Sequence, residues 1–150
     1  MFRWSALVPF AEGEICQLTA RRSVLSARGE AEVRQVTDRQ LVFAANIPKQ
    51  GIVIPAMRIL YRYRYAGDGK GLVLIRLNGK TYSDENATIR PSEDGRAVDV
   101  EMLYDAGKNI RLAYRLVRTA DDELAVENIR GHPLVSGASM RLARRAAAAA

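Results

Sequence analysis

Hydrophobic and polar residues alternate most cleanly over 57–65, where Ile59, Tyr61, Tyr63 and Tyr65 take one set of positions and Arg58, Leu60, Arg62 and Arg64 the other. Successive side chains of a β-strand point to opposite faces, so this period of two predicts a strand with a tyrosine face and an arginine face. Residues 66–70 contain Gly67, Asp68 and Gly69, which accept the positive φ of a tight turn, and 72–77 returns as the partner strand. Asn78-Gly79 marks a second tight turn, with a further strand over 80–83.

Shorter stretches repeat the design. Strands are expected over 31–36, 40–45, 88–90, 97–104, 110–118 and 124–129, each bounded by turn residues. A strand over 51–54 lies between Pro48 and Pro55, which remove ladder donors and make it an edge or a connection. Two segments break the alternation. Over 14–28, Ile15, Leu18, Arg22 and Leu25 recur at helical spacing and Gly29 follows as a C-cap, which predicts an N-terminal helix; the competing reading is a strand over 15–19. Residues 138–150 are rich in Arg and Ala, both good helix formers, and read as a helical or flexible C-terminal tail.

Consecutive strands joined by short turns form a β-meander, which must curl, close or pack on a helix to hide its apolar face. The expected fold is therefore mainly β, with α+β as a variant. It is an antiparallel β-meander forming a curved sheet or half-barrel over the one N-terminal helix, and a small closed barrel is the alternative. A chain of 150 residues has the size of one domain, so a single domain over 1–150 is expected.

Composition adds constraints rather than a function. Hydrophobic residues make up 48% and charged residues 27%, which excludes intrinsic disorder as the reading. The formal charge of +6 suits anionic partners such as acidic lipid or nucleic acid, and also serves solubility alone. Cys16 is the single cysteine, so no internal disulfide and no cysteine-built zinc site is expected. Apolar runs are far shorter than the roughly 18 residues of a spanning helix, so no integral membrane protein is expected. Residues 1–11 place Arg3 before a short apolar stretch broken by Pro9, which reads as part of the fold rather than as a secretory signal.

Candidate chemistry is sparse. Cys16 and His132, the single histidine, would form a nucleophile and base only if the fold brought them together from distant positions. The chain has no Gly-x-Ser-x-Gly elbow. Gly67, Gly69 and Gly71 lack the Gly-Lys-Ser/Thr of a phosphate loop and join two strands instead. Asp121, Asp122 and Glu123 are adjacent, not spaced as in a calcium loop, and read as a solvated turn. Asn86-Ala87-Thr88 is a formal glycosylation acceptor. No residue pattern names a cofactor or a metal, and no enzyme is expected.

Charge placement along the hairpins is more informative. Direct pairing sets Asp99 beside Arg115 and Arg115 beside Glu127, with Glu101 diagonal to Arg111, a self-neutralising surface. In contrast, Arg58, Arg62, Arg64 and Arg76 share a face with Leu60, Leu72 and Leu74, and neither strand supplies a carboxylate. Guanidinium groups bind phosphate or carboxylate in a fork, so this face is the candidate partner-binding surface. The competing reading is a solvated face whose arginine stems cover an apolar strip. Tyr61 and Tyr63 on the opposite face are candidate pocket lining, or a base-stacking platform if the sheet is turned the other way. The expectation is a non-catalytic binding module for an anionic or amphiphilic partner, lipid included, through the basic face or the cavity under the sheet. The alternatives are an assembly subunit of a homo-oligomer or larger complex, such as a virion or secretion machinery, and a nucleic-acid-binding β-domain.

Segment 97–144 has a strand, a turn, a strand carrying Tyr114-Arg115-Leu116, a polar turn, a strand, and then Gly131 with Leu134-Val135-Ser136. This rhythm resembles the C-terminal part of the periplasmic phospholipid-carrying proteins of the Mla type. The resemblance implies acyl chains bound inside a curved sheet capped by helices. The chain departs from that pattern at Leu124, near which a tryptophan is expected, in the family's Gly-Val-Ser stretch, in its few upstream helices and in showing no export signal.

Overall fold

Alternation of side chains is realised throughout, and the meander closes on itself. The computed structural model describes residues 2–52 and 54–145. Among them, ten antiparallel strands form a closed barrel: β1 (Ile15–Arg22), β2 (Leu25–Val36), β3 (Gln40–Ile47), β4 (Met57–Gly67), β5 (Lys70–Leu77), β6 (Lys80–Pro91), β7 (Ala97–Asp105), β8 (Ile110–Ala120), β9 (Glu123–Arg130) and β10 (Ser139–Arg144). Each strand pairs with its neighbours in the chain, and β10 pairs with β1 from Cys16↔Arg144 to Arg21↔Ser139. Closure removes both sheet edges, whose unpaired N–H and C=O groups would otherwise face solvent.

The expected half-barrel was close, but the strands close fully and no helix-capped open sheet of the Mla kind is formed. The helix read over 14–28 is instead β1, a two-residue turn and β2. Cys16, Leu18 and Ala20 alternate inward while the helical set Ile15, Arg22 and Leu25 is exposed, so the period of two wins over the spacing of three and four. Gly29 is no C-cap. It sits mid-strand where β2 meets β3, and a Cβ there would stand 2.3 Å from the Asn46 carbonyl oxygen, so only glycine lets the backbones approach. The single helix, α1, is Trp4–Leu7.

Two expected strands, 80–83 and 88–90, are one. Val73 pairs with Asp84 and Gly71 with Ala87, so residues 85–86 bulge out of β6 without ending it. Of the expected strand over 51–54, residue 53 lies outside the described residues and the described ones show the isolated Gln50↔Ile54 bridge. Ser139 to Arg144 of the expected tail form β10, the strand that closes the barrel, and residues 146–150 lie outside the described residues. The Asn78-Gly79 turn is as expected, with φ of 48° and 86°. Its Asn78 side chain accepts the Arg58 N–H at 2.9 Å.

The barrel interior is the hydrophobic core. Leu18, Val33, Leu41, Phe43, Tyr63, Val73, Ile89, Val98, Met102, Leu116, Leu124 and Leu142 are buried there, and the charged residues point outward. That arrangement is the inverse of a membrane-spanning barrel, which carries its apolar band outside. No helix among the described residues is long and apolar enough to cross a membrane.

Candidate functional site

The two ends of the barrel differ. At one end the segment before β1 folds into the opening. Trp4 and Leu7 are fully buried, with Val8 and Phe10 nearly so. Trp4 donates its indole N–H to the Arg39 carbonyl at 3.1 Å, packs edge-on to Phe2 at 5.0 Å and lies against Tyr63 at 5.4 Å. Arg144 at the end of β10 locks the segment down by donating to Glu14 at 2.8 Å and to the Pro9 carbonyl. The Arg144 hydrogen bond holds the Glu14 carboxyl below its usual range, against the opposing effect of burial. This end is plugged.

At mid-barrel Tyr63 and Tyr114 share a hydroxyl hydrogen bond of 2.5 Å, and both are buried. Burial pushes both phenols well above their ordinary range, so they stay neutral at any physiological pH. Tyr61 stacks on Phe43 at 4.6 Å one layer further along. These aromatics fill the barrel from the plug to its middle.

Among the described residues the opposite end has no such plug. Met57, Ile59, Tyr82, Tyr104, Ile129 and Met140 pack against the core but keep part of their surface exposed. Tyr82 and Tyr104 stack at 4.1 Å, and the His132 ring meets Tyr104 edge-on at 5.1 Å. Burial, chiefly, pushes the Tyr104 phenol up to about 12. Burial and the nearby Lys108 charge hold the His132 imidazole below its ordinary value. Its Nδ1 accepts the Leu134 N–H at 3.1 Å.

Beside this mouth the wall itself is split. β6 and β7 pair only from Thr88↔Glu101 to Pro91↔Val98, leaving their mouth-side halves apart. A cleft of about 420 Å³ lies there, lined by Lys80, Tyr82, Asp84, Leu103, Tyr104 and Asp105 among others. One bond spans it, from the Leu103 N–H to the Asp84 carboxylate at 2.8 Å.

The arginine face is on the outer wall. Leu60 pairs with Arg76, Arg62 with Leu74 and Arg64 with Leu72, so the expected mixed face of β4 and β5 is formed. No ion pair among the described residues involves Arg58, Arg62, Arg64 or Arg76. Toward β2 this face borders a shallow groove of about 540 Å³, floored by the small side chains of Ala44 and Asn46. Glu30 and Glu32 form its far side, where they already pair with Arg145 and Arg34. Those carboxylates stand two strands away in the meander, on β2 beyond β3, and were not visible from the two arginine strands alone.

Tyr61 and Tyr63 therefore stand inside the wall and the four arginines outside it, so the expected residues do not meet in one site. Tyr63 has no exposed surface and belongs to the core. Cys16 lies near the plugged end, opposite Arg144, whereas His132 lies in the β9–β10 loop at the mouth, so the two form no dyad. Burial pushes the Cys16 thiol up to about 11. Glu123 of the acidic turn pairs with Arg141 at 2.8 Å, and no cluster with metal-binding geometry occurs among the described residues. The self-neutralising pairs are present: Asp99 faces Arg115 and Arg115 faces Glu127. Sequence reasoning missed Tyr82, Tyr104, Met57 and Met140 as a mouth, because inward alternation looks the same for a filled and an open position.

No family model matches the chain, and no curated protein matches it in sequence. Among solved structures, a redesigned β-barrel is similar, with a TM-score of 0.51 and 11% identity over 97% of this chain and 98% of that one. That likeness concerns the fold.

Proposed function

We propose that the chain is a non-catalytic binding barrel that takes an amphiphilic ligand through its unplugged end. The observation that carries this reading is the contrast between the ends: Trp4 and Leu7 fill one, while Met57, Ile59, Tyr82, Tyr104 and Met140 leave apolar surface uncovered at the other. Covering such surface is favourable by roughly 25 cal/mol per Å², and an acyl chain or flat ring system offers the matching chemistry. Lys80 and Lys108 at the rim suit an anionic head group. Separation of Cys16 from His132 supports binding rather than nucleophilic catalysis.

Titration with a fluorescent long-chain fatty acid tests the proposal, alongside native mass spectrometry of freshly purified protein. Saturable one-to-one binding is expected, weakened roughly tenfold or more by Met140→Glu, which puts a carboxylate into the mouth. Absence of saturable binding by a cooperatively folded sample, or full affinity in the variant, overturns it.

A second reading rests on the unpaired arginines of β4 and β5, which would bind an anionic partner on the outer wall. Arg58, Arg62 and Arg64 changed together to Glu would then abolish binding to nucleic acid or acidic vesicles. Unchanged binding removes this reading and leaves the first intact.

A further inference from the structure

We infer that the open end of the barrel is a membrane-docking surface for anionic lipid, with three apolar loop tips entering the bilayer interface beside basic residues. The inference is independent of what the barrel holds. Of the large hydrophobic side chains left exposed among the described residues, Val24, Ile52, Leu134 and Val135 lie in loops at this end, Leu25 starts β2 beside them, and Ile15 alone lies elsewhere. Val24 is 95% exposed, Ile52 99% and Leu134 72%, so these side chains contribute almost nothing to the fold. They occupy the turn after β1, the loop between β3 and β4 and the loop between β9 and β10. Gly, Ser and Pro surround them, and such turns normally carry polar tips.

Each tip has a cation beside it in the chain. Arg21 and Arg22 precede Val24, Lys49 precedes Ile52, and Arg130 precedes Leu134. Lys80 and Lys108 extend the exposed basic rim in the remaining two turns, and Asp105 is the sole acidic residue in the five. The plugged end is richer in acid: Glu12, Asp38, Asp68, Glu93, Asp94, Asp121 and Asp122 are exposed in its loops, against the exposed Arg3, Arg39, Arg96 and Arg145. The described residues are therefore polarised along the barrel axis, apolar and basic at the mouth, mixed with an acidic excess at the plug.

That combination fits a lipid surface better than a protein partner. Three separate tips around an opening make no continuous patch for a protein to cover, whereas each one enters the headgroup and acyl boundary separately. Negative surface potential attracts the basic rim and repels the acidic end, which fixes the orientation.

The test uses the whole chain and vesicles of phosphatidylcholine, with or without about a third phosphatidylglycerol. Binding is expected to the anionic vesicles, weakened roughly tenfold or more on the neutral ones, in half-molar salt, or in the triple variant Val24→Asp, Ile52→Asp and Leu134→Asp. These side chains are solvent-exposed, so the variant keeps the wild-type melting temperature. Cys16 is buried, so an environment-sensitive dye attached to Val24→Cys or to Asp94→Cys reports one end at a time. Vesicles should blue-shift the dye at position 24 and leave that at position 94 unchanged. Equal shifts at both positions, undiminished binding by the triple variant, equal binding to neutral vesicles, or self-association lost in the triple variant without vesicle binding would each overturn the inference.

Discussion

Replacing either hydroxyl of the Tyr63–Tyr114 pair should cost more than replacing both. The two oxygens lie 2.5 Å apart, with Tyr63 fully buried and Tyr114 4% exposed. Tyr63→Phe removes one partner and leaves the Tyr114 hydroxyl without a hydrogen bond in an apolar interior, and Tyr114→Phe does the reverse. An orphaned buried hydroxyl costs about 1–3 kcal/mol. For a chain of this length each kcal/mol moves the melting temperature by about 2–4 °C, so either single variant should melt roughly 2–12 °C lower. The double variant removes both polar groups while keeping the rings and their packing, so its loss should be no larger than that of one single variant. Urea unfolding of all four proteins closes the cycle and yields a coupling energy of about 1–3 kcal/mol. Additive losses, with the double variant falling by the sum of the two singles, would refute the claim that these hydroxyls depend on each other.

The plug gives a second expectation. Trp4→Ala should cost about 3–5 kcal/mol through lost burial, and Trp4→Phe distinctly less, as read by chemical denaturation; a loss below about 1 kcal/mol would show that the segment is not part of the cooperative core. The Glu14–Arg144 contact gives a third. The folded state lowers the Glu14 carboxyl, mainly through the Arg144 hydrogen bond, so the contact's contribution is present above the unfolded value near 4.5 and fades as pH falls through the folded value. Both side chains are partly exposed, so Glu14→Gln should cost only about 0.2–1 kcal/mol at pH 7 and nothing near pH 2, measured by melting across that range.

Most of the wall was legible in the sequence. The period of two over 57–65 fixed which residues share a face, Asn78-Gly79 and the glycines of 66–70 marked two of the turns, and counting across the turn at 105–109 placed Asp99 opposite Arg115. These are local properties: backbone geometry and a short turn decide them, whatever the rest of the chain does. The same local reasoning failed at 14–28, where two periods compete over a short stretch and only the neighbouring strand decides. Gly29 looks like a helix cap until the Asn46 carbonyl is placed beside it.

Closure itself was beyond local reading. β1 and β10 meet across more than a hundred residues, and their pairing depends on the accumulated twist and bulges of all the strands between. Closure turns the tyrosine face inward, while the up-and-down pairing of β2, β3 and β4 sets Glu30 and Glu32 across a groove from the arginines and gathers alternate loops at opposite ends. The composition of each loop was on view in the chain, including Val24, Ile52 and Leu134 among turn residues. That they stand around one opening, with the acidic loops around the other, follows only from strands that run up and down a closed wall, because that topology alone sorts alternate loops to opposite ends.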